Sequence, residues 1–165
     1  MGNAWPLSGG ATDEAALKCM ANQTTSAWGG VDVLVTGCGF THAPSAGSAA
    51  DPFRVERSVE GDLVGAFAAS KIIGSRKVAA GGGAVVNVTA ATGPVGQRGA
   101  DARAVAAGGV AMLSRSLACE WASVGVRVNT AAVGPFTPGD AVASAVAFLG
   151  SEAASYVTGS LITLD

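Results

Sequence analysis

The chain has 165 residues and a formal net charge of −2, with 13% charged residues against 49% hydrophobic ones. The length suits a single domain over residues 1–165, and so weak a charge excludes nucleic acid and an anionic membrane surface as natural partners. No run approaches the ~20 apolar residues of a membrane span, and an average domain carries about 25% charged residues, so a large subunit interface is the expected use of the uncharged surface.

The opening Met1-Gly2-Asn3-Ala4-Trp5-Pro6 has neither a basic start nor an apolar run, which predicts no signal peptide. Cys19, Cys38 and Cys119 are widely spaced and odd in number, as expected of reduced thiols in the cytoplasm rather than a disulfide framework. The single histidine, His42, and the lack of Cys-x-x-Cys predict no metal site.

Thr12-Asp13-Glu14 opens a helix to about Ser26, with Thr12 as its N-cap. Residues 31–36 (VDVLVT) form a continuous apolar run, which reads as a buried strand. Pro52 stands at the first position of a long helix reaching about Ala79. Residues 84–89 (AVVNVT) are the second strand, residues 101–123 a helix, and residues 126–130 the third strand. A helix over 138–149 and a strand over 161–164 complete the chain. Short strands alternating with longer helices predict βαβ units and a parallel sheet.

Five motifs occur in a telling order. They are Val31-Asp32-Val33-Leu34-Val35-Thr36-Gly37-Cys38-Gly39, then residues 83–90 (GAVVNVTA) and Leu113-Ser114-Arg115-Ser116-Leu117-Ala118-Cys119-Glu120-Trp121. Gly125-Val126-Arg127-Val128-Asn129 and residues 148–159 (FLGSEAASYVTG) follow. In this order the chain resembles the short-chain dehydrogenase/reductase family over about residues 11–165. The resemblance implies an α/β fold: a partial, Rossmann-like, doubly wound parallel sheet in three layers.

It also implies a catalytic tetrad of serine, tyrosine, lysine and asparagine. The tyrosine supplies a proton to the developing alkoxide, the lysine lowers its pKa, the serine positions the oxygen, and the asparagine completes the relay. Here the serine position falls on Ala90, the tyrosine on Arg103 and the lysine on Ala107. The asparagine falls on Asp62, in Asp62-Leu63-Val64-Gly65. A methyl group neither donates nor accepts a proton, and a guanidinium stays protonated, so the family's proton transfer has no agent. Family members also carry a Gly-rich dinucleotide-binding turn after their first strand; Ser8-Gly9-Gly10 is too short to be one. The first β-α-β part is expected to be missing. After Val133-Gly134-Pro135-Phe136-Thr137 the next helix begins at once, where the family carries a substrate lid. No cofactor is expected.

Four residues remain as a ligand cleft: Cys38, His42, Asp62 and Arg103. Arg103 and Asp62 either grip an anion, or Arg103 fills the tyrosine's volume and pairs with Asp62 or a backbone carbonyl. Cys38 and His42 lie on the loop after the first strand, where they form either an activated thiol or a buried cysteine beside a solvent-facing histidine. The favoured reading is a non-catalytic subunit of a homo-oligomer, or of a hetero-oligomer with an active short-chain dehydrogenase. Two alternatives stand beside it. One is non-redox chemistry in the old cleft; the other is reductase activity completed by an NAD(P)-binding partner. The small residues Gly65, Ala66, Ala69, Gly108, Gly109 and Ala111 on the two long helices are expected to permit close approach of another subunit. Residues 4–7, or another chain, are expected to cover the apolar edge of the first strand.

Overall fold

The computed structural model describes residues 6–37 and 52–165, with side chains from 55 onward in the second stretch; Cys38 and His42 lie outside the described residues. Helix α1 (Glu14–Trp28) starts at Asp13, whose carboxylate accepts from the amides of Ala15 at 2.9 Å and Ala16 at 3.1 Å. The cap is therefore Asp13 rather than Thr12, because its charge also complements the helix dipole. Gly29, at φ 83°, ends the helix.

Strand β1 (Val33–Gly37) follows. The single long helix expected next is instead three pieces. Helix α2 (Pro52–Ser58) leads into a π-helical stretch (Val59–Val64), and α3 (Gly65–Ala80) continues from it. The widened turn contains Gly61 and carries Asp62, which is only 6% exposed. Strand β2 (Gly83–Ala90), a short helix α4 (Thr92–Val95) absent from the sequence reading, and helix α5 (Asp101–Trp121) come next. Strand β3 (Val126–Val133), helix α6 (Gly139–Gly150) and strand β4 (Leu161–Leu164) complete the order.

The four strands lie in the order β1-β2-β3-β4, all parallel. Alternation along each strand sends side chains to two helical layers. On one face Leu34, Val85, Val126 and Val128 pack with Val78 of α3 and with Leu113, Leu117, Ala118 and Trp121 of α5. On the other, Val86, Val88, Ala131 and Ile162 pack with Val142, Val146 and Leu149 of α6. The result is the expected three-layer α/β sandwich.

A buried polar chain crosses the first face. Thr36 Oγ1 donates to Asn87 Oδ1 at 2.6 Å, Asn87 Nδ2 to Ser114 Oγ at 2.8 Å, and Ser114 Oγ to the Val110 carbonyl at 3.0 Å. It ties β1, β2 and α5 together in a low-dielectric layer where each bond counts for more than in water. Asn129 does similar work at β4: its Nδ2 donates to the Val157 carbonyl at 2.8 Å, and its Oδ1 accepts from the Ser160 amide at 3.0 Å.

Most of the small residues expected at a subunit interface are used inside the chain. A Cβ on Gly65 would stand 3.1 Å from the Ala11 methyl, and one on Gly109 would stand 2.7 Å from Leu63 Cδ2. Ala66 packs with Val110, and Ala69 is buried. Gly108 has open space where a side chain would be. Nor do the described residues of the N-terminal segment cover β1: Pro6 and Leu7 are exposed and belong to no strand, while Ala4 and Trp5 lie outside the described residues. Among the described residues β1 is paired on one side only.

Candidate functional site

Three of the positions singled out by the sequence, Ala90, Arg103 and Ala107, lie at the carboxyl end of β2 and on the first turns of α5. Ala90 is the last residue of β2 and 5% exposed. Ala107 is 1% exposed on α5. Its cover is α4: a Cβ on Gly93 would stand 3.0 Å from the Ala107 Cβ and 2.7 Å from the Gly108 amide nitrogen. The turn after β2 therefore rests directly on α5, at the position where the family resemblance expects a lysine. Arg103, one helical turn earlier, is half-buried and engaged with a partner. Asp62 faces inward from the π-helical stretch, which packs against α5. Single π turns inside helices often mark functional positions.

Two further hydroxyls belong here. Thr89 and Thr92 flank the Ala90-Ala91 pair, and both Oγ1 atoms are buried without a hydrogen-bond partner. The only sequence signal was their placement either side of the serine position. Among the described residues no group of His, Cys, Asp and Glu is arranged to hold a metal ion.

The described residues at this end of the sheet give a nicotinamide dinucleotide little to hold. The side chains at positions 90 and 107 are methyl groups, which offer a polar ligand neither charge nor hydrogen bond. The amino end of α1 offers no phosphate cradle either. Its first free amides are taken by the Asp13 carboxylate, and Glu14 adds a second negative charge there.

Away from this end of the sheet, Lys77 on α3 is 1% exposed and its Nζ donates to the Val31 carbonyl at 2.6 Å. Burial pushes its pKa down to about 8, with the Asp32 carboxylate opposing the shift. On the outer surface Lys71 bridges α3 and α5, 2.9 Å from Glu120 and 5.5 Å from the Trp121 ring centroid.

Comparison with known proteins gives concordant results. The family model described as enoyl-(acyl carrier protein) reductase matches residues 1–141. The cis-4-hydroxycyclohexanecarboxylate dehydrogenase of Sinomonas cyclohexanicum is 32% identical over 179 residues, covering 93% of this chain and 72% of the relative. That stretch is longer than this 165-residue chain, so the relative carries extra residues within it. An uncharacterized short-chain type dehydrogenase/reductase of Sinorhizobium fredii is 31% identical over 93% of this chain, which spans only 32% of that protein's length. Among solved structures, the 3-ketoacyl-(acyl-carrier-protein) reductase of Brucella melitensis, complexed with NADH, shares the fold. Its TM-score is 0.86 at 22% identity, over 96% of this chain and 76% of that one.

Proposed function

The chain belongs to the short-chain dehydrogenase/reductase family, and from that premise we propose that it is a non-catalytic member, acting as an assembly or regulatory subunit of a homo- or hetero-oligomer. One observation carries the reading. The two positions where the family's proton relay needs a hydroxyl and an ammonium hold buried methyl groups, Ala90 and Ala107, and α4 closes over the second. A relay without a donor cannot protonate an alkoxide. The scaffold around it is nevertheless well packed, with the Thr36–Asn87–Ser114 chain intact.

Family members commonly form oligomers, and the outer surfaces of α3 and α5 suit that role. Val64 and Phe67 before and on α3, and Val105 and Met112 on α5, are about half exposed. Gly108 leaves the α5 surface flat between them. No described helix is long and apolar enough to cross a membrane, and we place the protein in the cytoplasm. Calorimetric titration of the full chain with NADH and NADPH tests the reading. No heat of binding is expected at micromolar cofactor, and saturable binding in that range overturns it.

A further inference from the structure

We propose that the layer between the sheet and helices α3 and α5 binds a short chain of buried water molecules, seated on Ser70, Thr89 and Thr130 beside the Thr36–Asn87–Ser114 hydrogen bonds. The starting point is a concentration of hydroxyls with no protein partner. Among the described residues four buried side-chain oxygens make no hydrogen bond. Three of them, Ser70 Oγ, Thr89 Oγ1 and Thr130 Oγ1, belong to residues no more than 1% exposed. A hydroxyl buried in this way forfeits the hydrogen bonds it made to solvent. Three such losses in one layer point to a shared partner.

Strand register brings these groups together. Thr36, Asn87 and Thr130 are neighbours across β1, β2 and β3. Val85 and Val128, two residues before Asn87 and Thr130, lie in the core beneath α5, so Asn87, Thr89 and Thr130 point to that same face. Neighbouring strands are about 4.8 Å apart, which puts Thr130 Oγ1 one bridging water from the Asn87 amide. That amide gives one N–H to Ser114 and has a second to offer. Ser70 comes from above. A Cβ on Gly74 of α3 would stand 3.8 Å from Val85 Cγ2, and one helical turn earlier Ser70 lies over the next residue of that face, Asn87. Thr89 is about 7 Å further along β2, beside Ala132 of β3, whose small side chain leaves room.

Water suits this set better than any other ligand. The groups are neutral, and each hydroxyl both donates and accepts. A buried water makes about three hydrogen bonds, and Thr130, Asn87 and Ser70 supply that number for the first one; Thr89 seats the next. Among the described residues no group of His, Cys, Asp and Glu is arranged to hold a metal ion. The full burial of all three hydroxyl residues excludes an organic molecule. The inference rests on packing alone and holds whether or not the chain binds a dinucleotide.

Thermal melts of Thr130→Val, Thr89→Val and Ser70→Ala test it, since each removes a hydroxyl with almost no change of shape. If the hydroxyls hold water, each variant is expected to melt about 3–6 °C lower. If they are dry, removing them relieves an unpaired group and melting stays level or rises. Unchanged or raised melting in any of the three overturns the proposal. A high-resolution crystal structure of the unmodified chain gives a second reading. An ordered oxygen about 2.7–3.2 Å from both Thr130 Oγ1 and Asn87 Nδ2 is expected, and a dry layer at that point overturns the proposal. If a variant loses its circular dichroism, the crystal structure decides.

Discussion

Gly93 lies against Ala107: a Cβ on Gly93 would stand only 3.0 Å from the Ala107 Cβ. This contact seats α4 on α5 at the position where the family resemblance expects a lysine. It also makes residue 93 intolerant of size. Gly93→Ala puts a methyl 2.7 Å from the Gly108 amide nitrogen, which belongs to the helix backbone and cannot swing away. The expected cost is about 1–3 kcal/mol, read as a lower urea midpoint with an unchanged m-value.

The polar chain across β1, β2 and α5 should be more costly to break. In Asn87→Leu, Thr36 loses its acceptor and Ser114 loses its donor, both in a buried layer. Losing these two buried bonds costs about 2–4 kcal/mol in total. Urea denaturation of the variant measures it, and a loss under about 0.5 kcal/mol would show that water reaches the layer.

Lys77 sets a pH dependence of definite sign. Its pKa is lowered from 10.5 to about 8 on folding, so between those values the unfolded chain binds the extra proton. Stability contributed by this group therefore rises as pH increases from about 8 to about 10.5, and below that window the buried ammonium carries its full cost. The cost is at most about 3 kcal/mol. Lys77→Met should raise the melting temperature at pH 7 and narrow its advantage at pH 10, because the neutral amine already suits the site. The orphaned Val31 carbonyl offsets part of the gain. Thermal melts of both proteins across this range test the sign.

Assembly through the outer helices is tested where the surface is truly outward. Phe67→Glu or Met112→Arg should lower the mass seen by light scattering without loss of helical signal, since both side chains are about half exposed. Ala69→Glu would instead bury a carboxylate inside the chain and unfold it, because Ala69 is a core residue. Mass unchanged in both outer variants would remove this face as an interface.

Much of the molecule follows from local sequence. Strand and helix order, the parallel sheet and the identities at positions 62, 90, 103 and 107 all rest on periodicity, breakers and motif spacing, which act over a few residues. Even there, Thr12 and Asp13 compete for the same cap, and only the helix's actual first amides show that Asp13 holds it. The rest depends on which distant surfaces meet. Gly65, Gly109 and Ala69 look alike as small helix residues whether they face another subunit or their own neighbours; folding places Ala11 and Leu63 against the two glycines and buries Ala69. Val33 and Leu34 are both apolar strand residues, yet one is left open and the other is packed, because α6 stops at the β1 margin while α3 and α5 do not. Sequence determined the elements and the family; the tertiary structure decided which apolar surface remains exposed, since exposure belongs to the packing of distant parts and to no single segment.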